Sequence, residues 1–162
     1  MLMLIIDKFT HSKKEESNYK NMLFAVNVHN FPEGMCVGVS LSAFLKGSVS
    51  FSGFSALAIG IAIQNVPEGF IVSMPLVSQG KGKKKAIISG AISGLFELIG
   101  GFCALIITTV ISKILPFTLA FSAGAMQWVV YSELLPQTQT KLSQICCVFG
   151  FLIMMVLDVA LG

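Results

Sequence analysis

Residues 51–78 read FSGFSALAIGIAIQNVPEGFIVSMPLVS, a run whose single charged side chain is Glu68. A helix crosses the hydrocarbon core of a bilayer, roughly 30 Å, with about 20 mostly apolar residues, so this run is long enough to span. Working outward, four more such stretches lie at Tyr19–Leu45, Lys85–Ser112, Pro116–Leu135 and Leu142–Leu161, parted by short polar breaks at 46–50, 79–84, 113–115 and 136–141. Short breaks make neighbouring helices antiparallel. The lack of ten-residue alternating segments excludes an outer-membrane barrel. The expected fold is an all-α polytopic transmembrane helix bundle of about five membrane-spanning helices. It divides into 1–18 (tail of a preceding helix and a loop), 19–112 (three helices) and 113–162 (two helices).

Composition agrees. Of 162 residues 54% are apolar and 12% charged, with a mean hydropathy of +0.82. Soluble domains carry about 25% charged residues, so disordered chains, coiled coils and most soluble enzymes are excluded. The eleven basic residues are all lysine and cluster at hydrophobic boundaries, which argues against nucleic-acid binding. Lys8, Lys13, Lys14, Lys20, Lys81, Lys83, Lys84, Lys85 and Lys141 fall on one side of a five-span topology and only Lys46 and Lys113 on the other. That nine-to-two bias puts residues 7–18 and 79–85 in the cytosol and the C-terminus outside. Met1–Ile6 is too short for a signal-peptide core and lacks a small-residue cleavage site. Cys36, Cys103, Cys146 and Cys147 sit in apolar runs without CxxC spacing and read as packing residues, as do Met74 and the other methionines. Gly34-x-x-x-Gly38, Ala86-x-x-x-Gly90 and Gly90-x-x-x-Gly94 are spacings that let helices approach closely.

The polar residues inside the spans are not scattered. His29-Asn30-Phe31-Pro32-Glu33-Gly34 is followed 35 residues later by Gln64-Asn65-Val66-Pro67-Glu68-Gly69, one pattern written twice. At 3.6 residues per turn, His29 and Asn30 share a face with Glu33, and Gln64 and Asn65 with Glu68. Pro32 and Pro67 cannot donate to the carbonyls of Val28 and Ile63, which frees polar groups beside each carboxylate. Counting 13 residues from Lys20 to Glu33, 13 from Glu68 to Lys81 and 12 from Lys85 to Glu97 puts three carboxylates at one depth. That depth is roughly 18–20 Å from the inner lysines, near the midplane.

Three isolated carboxylate ions there would cost on the order of 8–10 kcal/mol. The lysines in those stretches, Lys20 and Lys85, stand at their ends, 12 or 13 residues from the carboxylates of the same stretch, and none lies nearer to pair with them. A divalent cation resolves the cost, and one imidazole with carboxylate and amide oxygens suits zinc, iron(II), manganese or cadmium better than copper(I). The bland alternative is protonated, hydrogen-bonded helix glue. Glu133, eight residues before Lys141, and Asp158 are expected near the interfaces, Trp128 and Tyr131 read equally as packing or interfacial anchors, and His11 as solvated.

The doubled motif resembles the paired metal-binding motifs on the fourth and fifth helices of the ZIP (Zrt/Irt-like) metal transporters. The run Phe121-Ser-Ala-Gly-Ala-Met126 through Glu133-Leu-Leu-Pro136 is similar to the seventh helix of their GufA-like branch. The resemblance implies an eight-helix carrier that passes zinc, and sometimes iron, manganese or cadmium, into the cytosol by alternating access. The metal is then a transported substrate, not a cofactor. Position by position it implies one metal site from His29, Glu33, Gln64 and Glu68, and an adjoining one from Asn30, Glu33, Asn65, Glu68 and Glu97, with Glu33 and Glu68 as bridges. This chain departs from the pattern at Leu98, where branch members commonly have proline, at Ser132, where a glutamate often stands, and at Asn65, neutral where some relatives carry aspartate.

Met1–Lys8 resembles the tail of a third helix, so the chain reads as the C-terminal five helices of such a carrier. Expected partners are the bilayer, a divalent metal ion, and the remaining helices or a second copy in a homodimer, in the plasma membrane or an endomembrane. The alternative reading is a non-transporting membrane metal-binding or interaction fragment. An intramembrane metalloenzyme, with Glu33 or Glu68 as base on metal-bound water, is disfavoured because no HExxH pair or separate base is present.

Overall fold

The computed structural model describes residues 14–161, and all regular elements in it are helical. They are α1 (Lys14–Leu45), α2 (Phe51–Ser78), α3 (Lys83–Ile106), α4 (Thr108–Val129) and α5 (Lys141–Leu161). A π turn, Val130–Leu134, and a 3-10 turn, Leu135–Gln137, follow α4. The expectations for Met1–Lys8, His11 and Lys13 lie outside the described residues, and those for Glu133 and Asp158 outside the described side chains.

α2, α3 and α4 with its π extension are long and apolar enough to cross a membrane, and α5 is apolar over Lys141–Leu157. α1 is longer, at 32 residues, but more polar. Its place in the bundle explains this: α2, α3 and α4 all pack on it, so its polar side chains face protein rather than lipid. Asn21, Asn30, Glu33 and Ser42 are buried on it beside Ala25, Val26 and Met35.

Small residues set the closest crossing. α1 and α3 run parallel, with Gly34 against the backbone of Glu97, Gly38 against the carbonyl of Gly101, and Gly100 against the carbonyl of Phe31. A methyl at any of the three would collide with backbone, which is how small-residue spacings bring two helix axes together. Gly90 meets Gly69 and Ser73 of α2 in the same way, whereas nothing stands near Gly94. The third small-residue spacing therefore makes no contact at its second glycine.

The turns follow from glycine. Gly47 and Gly80 take φ of 74° and 72°, and the next residues, Ser48 and Lys81, donate to Ala43 and Leu76 five positions back at 2.9 and 3.0 Å. This closes α1 and α2 with the left-handed glycine cap that satisfies the last carbonyls of a helix. Ser50 then caps α2, its Oγ accepting from Gly53 N at 3.2 Å.

The break between the third and fourth helices is displaced from the expected one. It falls at Ile107 (φ −122°, ψ 43°), and Lys113 and Pro116 lie inside α4. Ile106-Ile107-Thr108-Thr109-Val110 is a run of β-branched residues, which favour helix weakly. Thr108 Oγ1 donates to Ala104 O at 2.8 Å and reaches Ser42 Oγ at 3.0 Å, supporting the sharp turn. Lys113 interrupts hydropathy without interrupting helix: it is exposed, one turn and a half into α4, where a long side chain reaches the membrane edge. Through this turn α4 folds back antiparallel along α1.

Two apolar clusters flank the middle of α1. Met22 and Ala25 pack with Ala125 and Val129 of α4, with Trp128 at their edge, toward the end where Lys81 and Lys83–Lys85 stand. Met35 packs with Ala104 and Ile111 toward the other end. Between them lie residues 29–33. The remaining apolar surface faces outward, including Val66, Phe70, Leu98, Phe102 and Phe117. Met74 is 64% exposed, so it is not core filler of this bundle, unlike Met22 and Met35. The four cysteines are free thiols; Cys36 and Cys103 are half-buried, while Cys146 and Cys147 are exposed on α5 and do not pack inside the bundle.

Candidate metal centre

Both copies of the doubled motif lie mid-helix, and α1 and α2 run unbroken through Pro32 and Pro67. Because the two helices form an antiparallel hairpin, the motifs meet at the same level. His29 Nε2 is 3.3 Å from Glu33 Oε1 on its own helix and 3.5 Å from Glu68 Oε1 on α2. One ligand atom from each of His29, Glu33 and Glu68 can be chosen so that all three lie within 4.8 Å of one another. Gln64 donates its amide to Glu33 Oε1, and Asn65 donates its amide to Glu97 Oε2 on α3. Asn30 Nδ2 donates to Ser93 O at 3.1 Å. All seven residues expected at the site are thus tied to one layer of α1, α2 and α3.

The unbonded atoms in this layer are all oxygens. Asn30 Oδ1, Glu33 Oε2, Asn65 Oδ1 and Glu68 Oε2 are buried with no hydrogen-bond partner. Asn30 and Asn65 direct their N–H groups elsewhere and leave their carbonyl oxygens unmatched. Buried acceptors without donors are costly, and a set made only of acceptors suits a cation. Glu33 is 7% exposed, which deprives its carboxylate of water as an alternative partner.

The residue that sequence reasoning missed is Ser122. It is buried on α4 and its Oγ lies 2.8 Å from His29 Nδ1. It stands in the run 121–126, but only the antiparallel packing of α4 on α1 brings it to the imidazole. Ser93, whose carbonyl holds Asn30, and Asn27, whose Oδ1 is also buried and unbonded, carried no signal beyond being polar in a span.

Residues 19–158 match the family model described as "ZIP Zinc transporter". The chain belongs to the ZIP zinc transporter family. Among curated relatives, Zinc transporter ZIP11 of Xenopus tropicalis is 43% identical over 146 residues, covering 87% of this chain and 44% of that protein. Zinc transporter ZIP11 of Homo sapiens is 41% identical, covering 87% and 43%. Zinc transporter GufA of Myxococcus xanthus is 33% identical over 144 residues, covering 86% and 55%. The chain therefore spans less than half the length of the ZIP11 proteins it matches. No solved structure matches it. As a ZIP chain it is a multi-pass membrane protein, and the family is one of transporters rather than enzymes, which sets the metalloenzyme reading aside.

Proposed function

We propose that the chain provides the cation-binding core of a carrier that moves divalent metal, zinc first among them, toward the cytosol. The observation that carries this is the layer of unmatched buried oxygens around His29, Glu33 and Glu68. The proposed ligands are His29, Glu33, Gln64 and Glu68 for one ion and Asn30, Glu33, Asn65, Glu68 and Glu97 for an adjoining one, with Glu33 and Glu68 serving both. Imidazole and carboxylate are ordinary zinc ligands. Within the family we place the chain in the GufA-like branch, on the sequences 29–34, 64–69 and 121–136 and on the likeness to the Myxococcus protein.

Apolar clusters lie on either side of this level, Met22, Ala25, Ala125 and Val129 toward one end and Met35, Ala104 and Ile111 toward the other. In this reading α1–α3 carry the metal and α4–α5 belong to the scaffold against which they move. The remaining helices of a ZIP unit, or a second copy of the chain, complete the surroundings of the site.

Uptake of radioactive zinc into sealed vesicles tests the proposal, with the chain expressed alone and together with the first three helices of a ZIP11 relative. Saturable uptake in either arrangement, lost when Glu33 and Glu68 are both changed to alanine, is the expected result. Uptake in neither, or uptake indifferent to both substitutions, overturns it.

A further inference from the structure

His29 can serve a cation through only one ring nitrogen. Nε2 is the nitrogen that faces Glu33 Oε1 and Glu68 Oε1; when it binds a cation there it uses its lone pair, and the ring proton then sits on Nδ1. An Nδ1–H inside the bundle needs an acceptor, and the group at 2.8 Å is the hydroxyl of Ser122, itself 1% exposed. A neighbour of this kind fixes the tautomer and the ring plane of a ligating histidine.

The bond also has a place in the architecture. The seven proposed ligands come from α1, α2 and α3. α4 meets α1 at four levels: Thr108 on Ser42, Ile111 on Met35, Ser122 on His29, and Ala125 with Val129 on Met22 and Ala25. Of these, the Ser122 level is the one that reaches a proposed ligand and so connects α4 to the metal layer.

We infer that Ser122 is a positioning residue for the metal site, holding His29 with Nε2 toward the carboxylates and linking the site to α4. This rests on the proposed function. If α1 moves against α4 during transport, this bond lies on the sliding boundary, and the affinity of the site then depends on whether α4 is docked. Small changes of register between the two helices would be felt at the imidazole.

The test is zinc titration of the detergent-purified chain against a chromophoric chelator, arranged as a double-mutant cycle. Ser122→Ala is expected to weaken zinc binding by about tenfold or more, the usual consequence of removing such a support. In a His29→Ala background the same change is expected to have no further effect, because Ser122 acts through the imidazole. Unchanged affinity in Ser122→Ala, or an equal loss with and without His29, overturns the inference while leaving the metal site standing. Absence of zinc binding by the unmodified chain is a different outcome: it defeats the proposed site itself, and the role of Ser122 falls with it.

Discussion

Gly34 of α1 lies so close to the backbone carbonyl of Glu97 on α3 that a single methyl group has no room between them. The same stretch of α3 that presses on Gly34 carries the Glu97 carboxylate to Asn65. Packing and chemistry are therefore set by one crossing. Gly34→Ala is expected to cost about 1–3 kcal/mol through overpacking and to weaken zinc binding by displacing Glu97. Gly94→Ala, where nothing stands near, is expected to be neutral or up to about 1 kcal/mol more stable from helix propensity. Thermal unfolding in detergent, with zinc titration on the same samples, checks both.

The two glutamates of the doubled motif are not equivalent to the amides beside them. Glu68 contacts His29 and has its second oxygen unbonded, whereas Asn65 contributes a neutral oxygen and supports Glu97. Glu68→Ala is expected to lower zinc affinity more than Asn65→Ala, because it removes a charge that both proposed ions would share. Calorimetric isotherms in detergent compare them, and matching isotherms would contradict the bridging role.

The bundle places Lys81 and Lys83–Lys85 at one end and Lys46 with Lys113 at the other. From the lysine bias the first end is expected to face the cytosol. Ser48 and Ser78 are exposed at opposite ends and suit single-cysteine labelling in a background without the native thiols. An impermeant reagent applied to intact cells is expected to label Ser48→Cys and to reach Ser78→Cys only after permeabilisation. Labelling of Ser78→Cys alone would reverse the orientation.

Most of the candidate site was readable because a polar side chain in an apolar run has few reasons to be there. His29, Asn30, Glu33, Gln64, Asn65, Glu68 and Glu97 stand out, and helical spacing with the count from the lysines already puts them on shared faces at one depth. The division between buried and exposed apolar residues was not readable in the same way. Met35 is 2% exposed and Met74 64%, yet hydropathy treats them alike, since both the core and the lipid face of a membrane helix are apolar. The turn at Ile107 was hidden for a related reason: Lys113 changes composition, but the helix breaks in an uncharged β-branched run. Ser122 was hidden because its meaning depends on a partner 93 positions away, fixed by how α4 docks.

X-ray absorption at the zinc edge, on the zinc-loaded chain, bears most directly on the central claim that these three helices hold a divalent cation with imidazole, carboxylate and amide groups. The account predicts a first shell of nitrogen and oxygen only, at about 2.0–2.2 Å, with imidazole scattering that disappears in His29→Ala. A sulfur shell at about 2.3 Å would place the ion on cysteine thiolates and contradict the account, as would a spectrum unchanged in His29→Ala.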